Sequence, residues 1–150
     1  MEQKLIEELR TYITYHNPDL FIKLRSHCSL QSYLEKKIKE IQPLLKRMTT
    51  EGCPEYVIEQ LCIVEMTASL RPSKFKYIRR LLKDKFYEDY NQMKEAGTLT
   101  YEIIQLIDWC EDGFESFDFN EDNEEDVLLR EVIRQGIKHY MKVKWATKKS

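Results

Sequence analysis

A cluster of basic residues with helical spacing is the first feature of the sequence that could bind a ligand. Four cations follow one another at i, i+3, i+4 and i+7, which places them on one face of a helix. They are Lys76, Arg79, Arg80 and Lys83. A cationic face with an aromatic neighbour, here Tyr77, can follow a phosphate backbone, although it is more often the solvent side of an amphipathic helix. These four residues are our candidate nucleic-acid-binding set.

An acidic stretch, residues 111–126, contains nine carboxylates and no basic residue. Within it Asp118, Asn120 and Asp122 alternate as they do at the start of a calcium-binding loop. Counted from Asp118, position six is Asn123, where the motif needs Gly, and position twelve is Leu129, where it needs Glu. We therefore predict no bound metal here. The stretch is expected to be a solvated loop whose last carboxylates favour the positive N-terminus of the next helix.

Histidines and cysteines are too scattered to predict a metal site or a nucleophile. His16, His27 and His139 have no partner at ligand spacing, and the four cysteines form no CxxC pair. The GxSxG and HExxH motifs and a Gly-rich phosphate loop are all missing from the sequence. We therefore expect no enzyme, no cofactor and no small-molecule substrate. All four thiols are expected to be reduced, as in a cytoplasm. The cysteines are Cys28, Cys53, Cys62 and Cys110.

Apolar periodicity predicts the elements that position these residues. The pattern is typical of an all-α fold, a single orthogonal or bundle-like domain of about six to seven helices over residues 1–150, with a short basic tail from about 144. The predicted core stripes, in chain order, are Leu5, Leu9 and Ile13; Leu20, Phe21 and Leu24; Leu34, Ile38, Ile41, Leu45 and Met48; Val57, Leu61, Val64 and Ala68, widened by Ile58 and Cys62; Phe75, Ile78, Leu82 and Phe86; Ile103, Ile107, Cys110 and Phe114; and Leu129, Ile133, Ile137 and Tyr140.

Polar residues before several stripes predict helix N-termini. Asn17 and Ser73 are placed to cap the helices that follow them. Ser32 with Glu35 matches a capping box, which would begin the third helix at Ser32 rather than at Ser29.

Pro and Gly predict where helices bend or stop. Pro43 lies inside the third stripe and predicts a kink near residues 39–42. The fifth helix is expected to run over about residues 74–95, and Gly97 is expected to end it. Gly113 is expected to interrupt the sixth helix.

Charge and hydropathy limit the partners. The net charge is −2, so the whole chain is not attracted to nucleic acid or to anionic membranes. No apolar run approaches the roughly 18 residues of a membrane span. The charged N-terminal segment does not resemble a secretory signal. We expect a protein that works in the cytoplasm and does not enter membranes.

Short motifs from about Gly52 onward follow one another in a suggestive order. They are Gly52-Cys53-Pro54 before an apolar helix, Leu70-Arg71-Pro72-Ser73-Lys74-Phe75 opening the next, Phe117-Asp118-Phe119 with its acidic sequel, and a last apolar helix with Gly136. In this order they resemble an uncharacterised family of small multihelical proteins from Bacteroidales, over roughly residues 52–143. The resemblance implies a multihelical fold and a genomic setting often linked to mobile elements. It implies no activity, because that family has no established function.

Two interpretations of the function follow. The first is a non-enzymatic helical interaction module that binds another protein, or itself, through an exposed tyrosine-lined or acidic surface. The second is an accessory nucleic-acid-binding or regulatory protein that uses the basic face of the fifth helix. An enzyme or a calcium-binding protein ranks third.

Overall fold

A computed structural model describes the backbone of residues 1–149 and the side chains of residues 1–144. Within this part of the chain there are nine α-helices and no β-strand, so the predicted all-α class is confirmed. The prediction of six to seven helices is wrong, because two predicted helices are each divided. Contacts group the chain into two compact units, Met1–Arg71 and Pro72–Ser150, which we call the N-terminal and C-terminal units. The single-domain assignment stays a prediction.

The N-terminal unit contains four α-helices and a final 3-10 turn. They are α1 (Glu2–His16), α2 (Pro18–Ser26), α3 (Leu30–Thr50), α4 (Glu55–Met66) and the turn Ala68–Leu70. The predicted stripes of α1 and α3 are buried as expected, and they pack against each other and against α4.

Two of the start signals in this unit do not act as predicted. The helix α3 begins at Leu30, with Ser29 at the N-cap position, so the capping box at Ser32 is wrong. Asn17 does precede α2, but its side chain makes no capping hydrogen bond. Its Nδ2 instead donates to the carbonyl of Leu70 at 3.4 Å, because this buried amide finds an acceptor in the 3-10 turn. The helix α3 continues through Pro43.

The helix α4 buries one edge of its predicted core face, where Ile58 and Cys62 were expected to widen the stripe, and exposes the centre of that stripe. Ile58, Cys62 and Met66 are buried, whereas Leu61 and Val64 are 48% and 49% exposed. The predicted stripe was misassigned because α4 is apolar on more than one side, so periodicity alone does not select the face that enters the core.

The C-terminal unit contains the other five helices. They are α5 (Lys74–Lys85), α6 (Tyr87–Ala96), α7 (Leu99–Trp109), α8 (Glu111–Ser116) and α9 (Val127–Lys149). Ser73 caps α5 as predicted, since its side-chain oxygen accepts a hydrogen bond from the Lys76 N–H at 3.1 Å. Gly97 ends α6 with a φ of +76°, which glycine adopts at little cost.

The predicted fifth helix is wrong as one element, because it divides at Phe86. Phe86 leaves the helical conformation (φ −134°, ψ 48°), yet its N–H donates to Leu82 and its carbonyl accepts from Tyr90, both at 2.8 Å. The backbone N–H and carbonyl of Phe86 therefore both keep their hydrogen bonds at the break. Its ring still packs against the core, so the apolar period continues across the break.

The predicted sixth helix divides at Cys110, between α7 and α8. The expected interruption at Gly113 is wrong, because Gly113 lies inside α8. A Cβ at this position would stand 3.0 Å from Ile133 Cδ1, so the glycine serves the close packing of α8 on α9.

No helix in the described residues is long and apolar enough to cross a membrane. The predicted basic tail starts at Lys144, the last residue whose side chain is described. Lys148 and Lys149 lie outside the described side chains.

Candidate functional site

The predicted basic face lies on the exposed side of α5. All four of its cations are exposed, while Phe75, Ile78, Leu81 and Leu82 bury the opposite side. Arg80 lies 3.7 Å from Glu125 of the acidic stretch. Within the described part of the chain, Lys76, Arg79 and Lys83 have no ion-pair partner within 4 Å. Among the described residues, three cations of this face are therefore without an ion-pair partner and one is paired.

The acidic and basic stretches meet within the C-terminal unit. Glu125 Oε1 contacts Arg80 Nη1 at 3.7 Å, and Glu125 Oε2 contacts Arg130 Nη2, at the start of α9, at 3.1 Å. Arg80 and Glu125 are largely exposed, so solvent screens these pairs and each contributes little to stability. Their effect is to reduce the positive charge available on α5.

Residues 117–126 are held by hydrogen bonds of their own. Asn120 uses both atoms of its amide, donating to the Asp118 carbonyl and accepting from the Asp122 N–H, each at 2.7 Å. Asn123 Nδ2 donates to the Phe117 carbonyl at 2.7 Å. The amide oxygen of the calcium-like alternation is thus bound to backbone. No group of three or more His, Cys, Asp or Glu side chains in the described residues could hold a metal ion.

Asp126 ends this segment by capping α9. Its Oδ1 accepts hydrogen bonds from the N–H groups of Leu128 and Leu129, at 2.8 and 3.2 Å. This agrees with the expectation that the last carboxylates favour a helix N-terminus.

Tyr77 joins α5 to the segment 117–126 by ring packing. Its ring meets Phe119 at 5.1 Å and Phe114 at 5.7 Å between centroids, both edge to face. The hydroxyl is buried. Burial raises the pKa of Tyr77, and the nearby Arg130 guanidinium partly opposes this rise.

An open cleft of about 370 Å³ lies between α5 and this segment. It has charges of both signs on its walls and a short apolar strip from α5. Its lining residues are Lys76, Tyr77, Arg80, Leu81, Asp84, Lys85, Glu124, Glu125 and Arg130. Such mixed charge fits a small anionic group better than a long polyanion.

A buried polar cluster in the C-terminal unit has no counterpart in the sequence-based predictions. Glu102, only 6% exposed, accepts hydrogen bonds from the Tyr140 hydroxyl at 2.8 Å and from Lys144 Nζ at 2.8 and 3.0 Å. Burial alone would lower the pKa of Lys144, but hydrogen bonds with Glu102 and Tyr140 raise it to about 12. Lys144 is four residues from Tyr140, a one-turn spacing that was the available signal in the sequence.

The thiols are free, and two of them are buried. Burial raises the pKa of Cys62, and it raises the pKa of Cys110 to about 12. Neither thiol is therefore a good nucleophile, because the thiolate is the reactive form. Cys28 is exposed and lines a shallow pocket in the N-terminal unit with Arg10 and Arg25.

The exposed side of α4 is the second candidate surface. Leu61 and Val64 lie at i and i+3 and are both about half exposed, so they form one apolar stripe. Ala68, in the 3-10 turn that follows α4, is exposed as well. Val57 continues the stripe toward the N-terminus of α4 and is partly buried against the core.

Comparison with known proteins leaves the function to be argued from these surfaces. No protein-family model, curated protein or solved structure matches this chain.

Proposed function

We propose that this chain is a non-enzymatic helical interaction module that binds a protein partner, or a second copy of itself, through the exposed stripe of α4. The observation that carries the proposal is the exposure of Leu61 and Val64, at 48% and 49%, on a helix that already buries another apolar face. The proposed surface differs from the tyrosine-lined or acidic surface expected from the sequence.

The composition of α4 supports this proposal. A helix at the surface of a stable domain normally has one apolar and one polar side, and a helix that is apolar all round is normally buried. In α4 the buried side consists of Ile58, Cys62 and Met66, and the exposed stripe would leave apolar area in water. Contact with another apolar surface removes that area from water, which favours association.

A charge placed in the stripe tests the proposal. Leu61→Glu should abolish self-association measured by sedimentation velocity, or remove the cross-linked partner that the wild-type chain retains from lysate. The matched control is Gln60→Glu, which adds the same charge at a neighbouring exposed position without removing an apolar side chain. A wild-type chain that is strictly monomeric and retrieves no partner would refute the proposal. Equal effects of Leu61→Glu and Gln60→Glu on self-association or partner binding would also refute it.

A second candidate function is accessory nucleic-acid binding by the basic face of α5. It is favoured by the exposure of Lys76, Arg79 and Lys83 without ion-pair partners among the described residues. It ranks below the first, because Glu124 and Glu125 lie beside the same helix and repel phosphates.

Fluorescence anisotropy with duplex DNA and single-stranded RNA, at about 50 and 200 mM salt, tests this second function. If the basic face of α5 binds nucleic acid, the binding should be micromolar at the lower salt concentration and should be lost at the higher one. Charge reversal at Arg79 and Lys83 should weaken it further. No binding at either salt concentration would indicate that the basic face of α5 is only the solvent-exposed side of an amphipathic helix.

We further propose that the protein works in the cytoplasm, which is supported by its four free cysteines. Membership of the Bacteroidales family, with its link to mobile elements, is likewise a proposal that rests on the order of the motifs.

A further inference from the structure

Two guanidinium groups flank a single carboxylate in the C-terminal unit. Arg80 approaches one oxygen of Glu125 at 3.7 Å, and Arg130 approaches the other oxygen at 3.1 Å. Paired arginines around one anionic group are well suited to a phosphoryl group, because each guanidinium offers several fixed N–H donors.

The cleft beside these arginines has room for more than the carboxylate. Its volume is about 370 Å³, and α5 contributes Tyr77 and Leu81 to its wall. The Tyr77 hydroxyl is buried and makes no well-formed hydrogen bond in the described residues, although Arg130 lies close to it. A phosphoryl group has three acceptor oxygens, so it can accept from both guanidiniums and from this hydroxyl.

We propose that Arg80 and Arg130 bind the phosphoryl group of a phosphate monoester, and that Glu125 occupies their site in the ligand-free chain. A phosphorylated side chain of a partner protein and a free organic phosphate share this chemistry. In both cases the organic part extends into the cleft along Tyr77 and Leu81.

Displacement of Glu125 by the ligand is energetically reasonable. A phosphoryl group carries about 1.5 to 2 negative charges at neutral pH, whereas the carboxylate carries one. Arg80 and Glu125 are largely exposed, so the contact that must be broken is a weak one.

The other charges of the cleft favour a single phosphoryl group over a nucleic acid. Lys76 and Lys85 add to the positive potential, while Asp84 and Glu124 oppose it. A phosphate backbone that follows α5 would have to pass these carboxylates. One phosphoryl group held between Arg80 and Arg130 does not.

Fluorescence anisotropy with a labelled phosphoserine peptide and its unphosphorylated twin tests the proposal. The wild-type chain should bind the phosphopeptide and should not bind the unphosphorylated peptide of the same sequence. Glu125→Gln should tighten binding by about two- to fivefold, which is the effect of removing an exposed ion pair that competes with the ligand. Arg80→Gln and Arg130→Gln should each weaken binding by about tenfold or more.

The matched control is Arg79→Gln, which removes a charge from the exposed face of α5 outside the cleft lining. It should leave the affinity unchanged, and the melting temperature of each variant shows that its fold is intact. Glu125→Gln removes no donor, so its tighter binding remains informative even if an arginine variant fails to fold.

Competition with phenyl phosphate separates the two sources of the ligand. Displacement of the phosphopeptide by phenyl phosphate at similar concentrations identifies a free organic phosphate, whereas retention of the peptide identifies a phosphorylated side chain. The proposal is overturned if the wild-type chain binds neither the phosphopeptide nor phenyl phosphate, or if Glu125→Gln leaves the affinity unchanged. Equal loss in Arg79→Gln, or stronger binding of duplex DNA that depends on Arg79, overturns it as well. The proposed function is tested separately by Leu61→Glu on α4, so a failure of the phosphoryl-binding proposal is distinguishable from a failure of the proposed function.

Discussion

The Lys144 ammonium lies 2.8 and 3.0 Å from the two carboxylate oxygens of Glu102, and this carboxylate is almost completely buried. The Tyr140 hydroxyl bonds the same carboxylate at 2.8 Å. Glu102 is in the first turn of α7, whereas Tyr140 and Lys144 are one turn apart on α9. The cluster therefore ties the start of α7 to the C-terminal half of α9.

A double-mutant cycle should reveal this pairing. Glu102→Gln and Lys144→Met should each lower the free energy of unfolding by about 1–3 kcal/mol, because each leaves a desolvated partner without its counter-charge. The double variant should lose less than the sum of the two. Both tryptophans belong to the C-terminal unit, so urea unfolding followed by tryptophan fluorescence reports on it. Strictly additive losses would contradict the contact.

Alkaline pH should weaken the same contact. The pKa of Lys144 rises from 10.5 to about 12 in the folded chain, because hydrogen bonds with Glu102 and Tyr140 outweigh the effect of burial. A raised pKa contributes stability that is fully present below pH 10.5 and is lost as the pH rises through about 12. The free energy of unfolding of the wild type should therefore fall more steeply over this interval than that of Lys144→Met. Parallel curves would exclude the contribution.

Local sequence signals were sufficient where one helix face alone is apolar. The stripe from Leu34 to Met48 is buried as predicted, and Ser73 and Gly97 act at the predicted ends. These features depend on residues close in sequence, so periodicity and capping chemistry reveal them.

The remaining features depend on tertiary contacts that local patterns do not contain. Phe86 keeps its hydrogen bonds and its core contact while the helix breaks, so the apolar period shows no interruption. The buried carboxyl group of Glu102 contacts Lys144, which is distant in sequence. The four cations do share the exposed side of α5, but the contact of Arg80 with Glu125 requires the acidic segment to fold back.

The two faces of α4 should differ sharply in their response to truncation. Ile58→Ala should lower the free energy of unfolding by about 2–4 kcal/mol, since Ile58 is buried and the change leaves a cavity. Leu61→Ala should change it by no more than about 0.5 kcal/mol, because Leu61 is half exposed. Urea unfolding followed by far-UV circular dichroism is suitable, since the N-terminal unit contains no tryptophan. A larger loss at Leu61 would restore the face predicted from the sequence.

Gly136 and Cys110 should show coupled effects on stability. A Cβ at residue 136 would stand 3.1 Å from Cys110 Sγ, which is closer than ordinary van der Waals contact. Alanine inside a helix is normally more stable than glycine by about 0.5–1 kcal/mol, and this crowding should cancel the gain in Gly136→Ala. In a Cys110→Ala background the sulfur is absent, so Gly136→Ala should recover the full gain.

Urea unfolding of the four chains in this cycle, followed by tryptophan fluorescence, measures the coupling. Gly113→Ala is a useful comparison, because its Cβ would meet both Ile133 Cδ1 at 3.0 Å and Val132 Cγ1 at 3.2 Å. That substitution should be destabilising with or without the Cys110 sulfur. If Gly136→Ala stabilises the wild type and the Cys110→Ala chain equally, Cys110 does not limit the approach of α9 at this point.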